Sequence, residues 1–152
     1  MRIIHPIAGA LALIIIATFW MATVSSELFG SLDAVAAVKT GIAWGLLLLV
    51  PSIALAGGTG FLLARGFRNA LVAAKQKRMP LIAGNGLLIL VPAALYLAWA
   101  ANAGAFDSTF VTVQIAELIA GAVNVTLLSL NMRDGLRLTG RLKPVALSRR
   151  AA

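Results

Sequence analysis

Four long apolar runs constrain this chain more than any other feature of its sequence. Each is long enough for the roughly 20 residues that a membrane-spanning helix needs. We predict helices over about residues 6–24, 38–64, 79–101 and 109–131. The fold class expected is therefore all-α: an integral membrane four-helix bundle over residues 1–134, followed by a basic cytoplasmic tail, residues 135–152, that is partly disordered.

The first run could instead be a cleaved signal peptide. A signal peptide usually has a shorter apolar core, of about 7–15 residues, followed by small residues at the cleavage site. The run here is longer and ends in Phe19, Trp20 and Met21. This favours a retained helix.

Polar residues interrupt the fourth run along one side. At helical spacing they fall within an arc of about 100°. The positions are Gln114, Glu117, Gly121, Asn124 and Asn131. Because lipid cannot satisfy polar groups, this side is expected to face the other three helices or water.

Composition removes several classes of function. The chain is 61% hydrophobic, whereas a soluble domain has about 45–50%. It has 13 Lys and Arg against 5 Asp and Glu, but the basic residues lie between and after the runs, which does not indicate a nucleic-acid partner. It has no cysteine, which excludes disulfides, thiolate metal sites and thiol redox chemistry. We also find no motif for phosphate, dinucleotide or zinc-protease chemistry.

The charge pattern predicts the orientation of the bundle. Every basic residue except Lys39 lies at Arg2, in the loop 65–78 or after residue 131, whereas Glu27, Asp33 and Asp107 lie in the other two loops. The positive-inside rule then places both termini in the cytoplasm, N-in and C-in, and we expect a multi-pass protein of the bacterial inner membrane. Three tryptophans are expected near the outer interface: Trp20, Trp44 and Trp99.

A polar intramembrane site is predicted in the outer half of the bundle. Glu117 lies about 13 Å below the start of its helix, where an ionised carboxylate costs at least about 2–3 kcal/mol unless it is paired. Lys39 is the expected partner, and Gln114 lies one turn away. The cluster is interpreted either as a proton relay or quinone head-group pocket, or as a contact that fixes helix register. Deeper in the bundle, Asn85 and Asn124 are expected to hydrogen-bond between helices.

A second candidate site lies at the cytoplasmic helix ends. His5, Met79 and Met132 all fall there, and imidazole and thioether are haem axial ligands. The neighbouring arginines, which could hold haem propionates, are Arg2, Arg78 and Arg133. His5 is thus a candidate metal ligand for haem b, in a His–Met site or in a site shared between two copies of the chain. The alternative is an interfacial histidine that only caps its helix.

The histidine at the start of the first helix, the four spans and the basic middle loop together resemble small bacterial haem-b membrane proteins, of the HemJ-type protoporphyrinogen oxidase and CopD-like kinds. The resemblance implies haem binding and electron transfer. Two features depart from the family pattern: Trp20 lies farther from His5 than expected, and Lys77 only precedes the third helix. No catalytic residue is therefore carried over, and whether the protein is a membrane redox enzyme stays open.

Three hypotheses for function follow. The first is a haem-b electron-transfer or quinone-interacting membrane protein, and the second is a structural or accessory subunit of a larger membrane complex. The third is a small ion or proton transporter that uses Glu117 and Lys39. The partners expected are the lipid bilayer, a quinone, and either further copies of the chain in a homo-oligomer or other subunits.

Overall fold

The computed structural model describes residues 3–65 and 69–142. Arg2, the middle of the basic loop and the tail beyond residue 142 lie outside the described residues. The described part contains four helices and no strand: α1 (Ile4–Phe29), α2 (Leu32–Ala64), α3 (Ala70–Asn102) and α4 (Ser108–Leu138). All four are long and apolar enough to cross a membrane, which confirms the predicted all-α, four-helix architecture.

Side-chain caps begin three of the helices. The Ser31 hydroxyl accepts from the Ala34 N–H at the start of α2, and the Asn69 side chain accepts from the Leu71 N–H at the start of α3. Asp107 accepts from the Phe110 N–H at the start of α4. These bonds satisfy backbone donors that the first helical turn leaves without partners. In the turn between α3 and α4, Gly104 has φ of +69°, a conformation that glycine adopts readily.

The helices are longer than the apolar runs that predicted them. α2 begins at Leu32, α3 begins at Ala70, and α4 continues to Leu138. The boundary expected after residue 134 therefore falls inside α4. Hydropathy reports only the part of a helix that matches the lipid core. The added turns contain good helix formers, which are Ala in α2, Lys, Arg and Gln in α3, and Arg and Leu in α4.

The four helices pack as a ring in chain order. α1 packs on α2, α2 on α3, α3 on α4, and α4 returns to α1. Among residues 3–65 and 69–142, the α1 and α3 backbones make no close approach, and neither do those of α2 and α4, so these pairs lie across the diagonals. Only residues 30–31 separate α1 from α2, and residues 103–107 separate α3 from α4, as is typical of antiparallel neighbours in up-and-down bundles.

Small residues allow side chains to enter between neighbouring helices. The Phe19 ring of α1 packs directly against Gly45 of α2. The Trp20 ring packs against Gly121 of α4, where an added Cβ would lie 2.9 Å from the Trp20 Cδ1. Both glycines are therefore contact positions between helices, as expected where apolar spans associate.

One turn of α3 departs from α-helical geometry. The segment Gly86–Leu90 forms a π-helical turn, directly after Asn85 and just before Pro92. Proline has no N–H to donate, so Pro92 leaves one hydrogen bond of the helix unmade close to this turn. This turn lies beside the buried side chain of Asn124 on α4.

Candidate functional site: a buried ion pair in the bundle

Lys39 and Glu117 form an ion pair across a diagonal of the bundle. Lys39 Nζ lies 2.5 Å from Glu117 Oε2, and the side chains are 0% and 11% exposed. Lys39 belongs to α2 and Glu117 to α4, whose backbones do not touch in the described part of the chain. The long lysine side chain thus spans the centre of the bundle, and the contact predicted from sequence is present.

The fold places both charges on inward faces. On α2, Lys39 shares its face with the buried residues Val35, Ile42 and Leu46. On α4, Glu117 belongs to the polar stripe, which lies buried over the length of the helix as Gln114, Glu117, Gly121, Asn124, Asn131 and Asp134. With little water at this depth, each charge depends on the other for compensation.

Two further polar side chains complete the cluster. The Lys39 ammonium lies 3.5 Å from the Thr23 hydroxyl of α1, and Gln114 Nε2 donates to Glu117 Oε2 at 3.3 Å. Gln114 Oε1 is buried and has no hydrogen-bond partner among the described residues. A buried acceptor without a donor is uncommon. Gln114 Oε1 can therefore accept a hydrogen bond from a water or from another donor.

A small cavity adjoins the ion pair. Its volume is about 40 Å³, and its lining includes Thr23, Trp20, Glu117 and Gly121. Most of the other lining side chains are apolar: Ile16, Phe19, Ile42, Leu46, Leu49, Leu90, Ala94 and Leu118. One water needs roughly 10–15 Å³ measured in this way, so the cavity can hold one to a few waters beside the carboxylate.

Trp20 lies at the wall of this cavity. Its indole N–H donates to the Leu118 carbonyl of α4 at 3.0 Å. The ring therefore packs between α1 and α4, and its polar group is hydrogen-bonded inside the bundle. Trp44 and Trp99 are largely exposed on the helix surfaces, where lipid would contact them.

An asparagine pair joins α3 and α4 between the cavity and the C-terminal end of α4. Asn85 Nδ2 donates to Asn124 Oδ1 and to the Ala120 carbonyl, each at 2.8 Å. Asn124 Nδ2 donates in turn to the Ile82 carbonyl at 3.3 Å. The interhelical bond expected from sequence is therefore present, and it fixes α4 against the start of the π turn.

Asp134 forms a second charged cluster near the end of α4. Its carboxylate accepts from Arg78 at 2.6 Å and from Arg133 at 3.4 Å, and Arg78 also donates to Asn131 Oδ1 at 3.4 Å. Sequence reasoning assigned no role to Asp134. The available signal was its position three residues after Asn131, which extends the polar stripe by one turn.

The residues of the predicted haem site have other partners. His5 Nδ1 lies 3.0 Å from the Ala56 carbonyl and 3.3 Å from the Thr59 hydroxyl, and its ring packs on Gly60. The Met79 sulfur accepts from Asn131 Nδ2 at 3.4 Å. Arg78 and Arg133, the predicted propionate ligands, both bond Asp134. Met132 is partly buried on α4, and Arg2 lies outside the described residues.

Comparisons with known proteins give no match: no family model, no curated protein and no solved structure is significantly similar to this chain. A functional assignment must therefore rest on the geometry of the polar sites.

Proposed function

We propose that the protein is a small ion or proton transporter in which Glu117 is the group that takes up and releases a proton. The observation that carries this proposal is the buried Lys39–Glu117 pair beside a cavity of water size. An ionisable side chain inside a membrane segment is costly, and such residues commonly mark proton or ion paths.

Gln114 suits a carboxyl group that changes protonation state. In the observed orientation its amide N–H group donates to Glu117. Rotating the amide by 180° exchanges its donor and acceptor, so that Oε1 would accept a hydrogen bond from a protonated Glu117. A single side chain can thereby bond both states of the carboxyl group.

Protonation of Glu117 must also affect Lys39. Once the carboxylate is neutral, the buried ammonium has lost its charged partner and keeps only neutral acceptors, the protonated Glu117 and Thr23. An unpaired ammonium at this depth is strongly unfavourable, so Lys39 must either lose its proton or move towards water. Uptake of a proton is thus coupled to a change at Lys39, which is what a transport cycle requires.

Proton flux in proteoliposomes tests the proposal. The purified protein would be reconstituted around a pH-sensitive dye, and flux would be driven by a potassium diffusion potential. Loss of the titrating group should reduce flux by roughly a hundredfold in Glu117→Gln. Asp33→Asn is the control, because Asp33 is an exposed carboxylate at the start of α2. Flux that survives Glu117→Gln would refute the proposal.

In the proposed orientation the helices span a bacterial inner membrane, and both termini lie on its cytoplasmic side. The charge distribution supports it: the helix ends beside Ser31 and Ala103 carry the acidic loop residues, and those beside Ala73 carry the basic ones. Since the chain has no cysteine, single cysteines at these three positions can be probed in spheroplasts with an impermeant thiol reagent. We expect labelling at Ser31 and Ala103 only, and labelling of Ala73→Cys in intact spheroplasts would reverse the orientation.

A haem-b electron-transfer role is the second candidate. The observation that favours it is the contact of His5 Nδ1 with the Ala56 carbonyl. Metal-binding histidines commonly donate one ring N–H to a carbonyl, which leaves the other nitrogen as ligand. Against it, the predicted propionate arginines are engaged with Asp134.

An absorption spectrum separates the two candidates. A Soret band that shifts on reduction and is lost in His5→Ala would support haem binding. A change in the reduced spectrum of Met79→Leu or Met132→Leu would assign the second ligand. If neither changes it, two His5 side chains from neighbouring copies are the expected ligands, and haem should dissociate when the oligomer does. A featureless spectrum removes this candidate.

A further inference from the structure

The basic end of the bundle carries more positive charge than this chain can neutralise. The chain has 5 acidic residues. Glu27, Asp33 and Asp107 lie at the opposite end of the bundle, and Glu117 is paired with Lys39. Only Asp134 remains at the basic end, where the structure describes seven basic residues: Arg65, Lys75, Lys77, Arg78, Arg133, Arg137 and Arg141.

Part of this excess is concentrated where α3 packs on α4. Arg78 and Arg133 both bond Asp134. Lys75 lies one turn before Arg78, and its Nζ would be 3.2 Å from a Cβ added at Gly135. Because position 135 is glycine, the lysine side chain can lie directly against α4. Two arginines thus bond the one carboxylate and Lys75 lies beside them, so positive groups outnumber negative ones at this place.

The cluster is open on its outer side. The Asp134 side chain is 2% exposed, whereas those of Arg78 and Arg133 are 23% and 47% exposed. Both contacts of Arg133 with Asp134 are 3.4 Å long, beyond the usual range for such bonds. Its guanidinium can therefore bond a stronger acceptor, and phosphate oxygens suit its paired donors.

We propose that Lys75, Arg78 and Arg133 bind the phosphate of an anionic phospholipid head group at this seam between α3 and α4. Asp134 lies one turn before the end of α4, at the depth expected for head groups if the helices span the bilayer. Basic pockets between membrane helices bind anionic head groups in this way. One phosphodiester supplies negative charge that no side chain of this protein provides. The proposal is independent of proton transport at Glu117.

Native mass spectrometry of the whole protein in a neutral detergent tests this site. The probe is dioctanoyl phosphatidylglycerol, and dioctanoyl phosphatidylcholine is the comparison lipid. Lys75→Gln and Arg133→Gln should each weaken phosphatidylglycerol binding about fivefold, the effect expected for one basic residue near a head group. Lys77→Gln is the matched control: it removes the same charge two residues along α3, from an exposed side chain. We expect it to change the affinity by less than about twofold.

Equal weakening by all three variants would show only a general effect of charge and would overturn the site. So would unchanged binding in Lys75→Gln and Arg133→Gln, or equal affinity for phosphatidylcholine. Inorganic phosphate is the last arm of the test. If millimolar phosphate displaces the lipid completely, the cluster is a site for free phosphate and the lipid assignment is wrong. Persistence of the lipid supports the assignment.

Discussion

Glu117 and Asp134 lie on the same buried stripe of α4, but their surroundings differ. Glu117 has one cationic partner, Lys39, which reaches it across the bundle and is fully buried. Asp134 has two arginine partners, both partly exposed, and one of them comes from its own helix. The first cluster is electrically balanced and closed, whereas the second is positive and open.

This contrast separates two uses of charge in one bundle. At Glu117 a change of one proton unbalances a pair that has no other compensation, so protonation and structure are coupled. At Asp134 the arginines are partly exposed, so ions of the surrounding solvent can reach them without disturbing the core. We therefore expect the two clusters to differ in the size of mutational effects and in their sensitivity to salt.

The largest effect is expected from breaking the closed pair. Lys39→Met strands the Glu117 carboxylate and should lower the free energy of unfolding by about 3–5 kcal/mol. Denaturant titration in mixed micelles measures it. Glu117→Gln should be similarly costly, and the double variant should be milder than the sum of the two changes. Simple additivity in this double-mutant cycle would show that the contact contributes nothing specific.

A smaller effect is expected at the open cluster. Asp134→Asn removes charge-assisted hydrogen bonds to Arg78 and Arg133, worth about 1.5–3 kcal/mol. Both arginines are partly exposed and can turn to water or head groups, so the loss should stay below that of Lys39→Met. Asp33→Asn is a control at an exposed carboxylate without an ion pair among the described residues, expected within about 0.5 kcal/mol. If Asp134→Asn lowered the free energy of unfolding more than Lys39→Met, the proposed difference between the closed and the open cluster would be wrong.

The asparagine pair between the clusters provides an uncharged reference. Asn85→Ala removes bonds to Asn124 and Ala120, and should cost about 0.5–2 kcal/mol. The same titration measures it, with Thr126→Val as control, because the Thr126 hydroxyl bonds only its own helix and is exposed. Unlike the charged variants, Asn85→Ala should show no dependence on salt. A salt-dependent cost would mean that the pair is coupled to one of the clusters.

The sequence predicted the helices from their hydropathy, and it predicted a contact where two residues of complementary chemistry lie at similar depth. Four apolar runs predicted four helices, and Lys39 and Glu117 could be paired because they are opposite charges at similar depth in facing helices. Asp134 was overlooked because it follows the last apolar run, where the fourth helix was expected to end at residue 131. Only the three-dimensional course of α4 shows that the polar stripe continues through it.

Other contacts could not be predicted from the sequence. His5 bonds a backbone carbonyl of α2, and every residue has such a carbonyl, so residue types cannot identify the partner. Asn131 bonds Met79 and Arg78, and its residue type does not indicate which of its neighbours it bonds. The choice between these partners depends on helix rotation, which periodicity alone does not fix.

The smallest expected effect is a change in salt dependence, and it distinguishes the two clusters best. Raising the salt concentration from about 0.1 M to 1 M shortens the screening length from about 10 Å to 3 Å. The cost of Asp134→Asn should then fall by up to about 0.5 kcal/mol, because its arginines are in contact with solvent. The cost of Glu117→Gln should not change, since ions cannot enter between Lys39 and Glu117. Equal salt dependence in repeated unfolding titrations would mean that bulk solvent and its ions reach the ion pair in the native bundle. The cavity beside Glu117 would then be an open path, and the distinction between a closed and an open cluster would no longer hold.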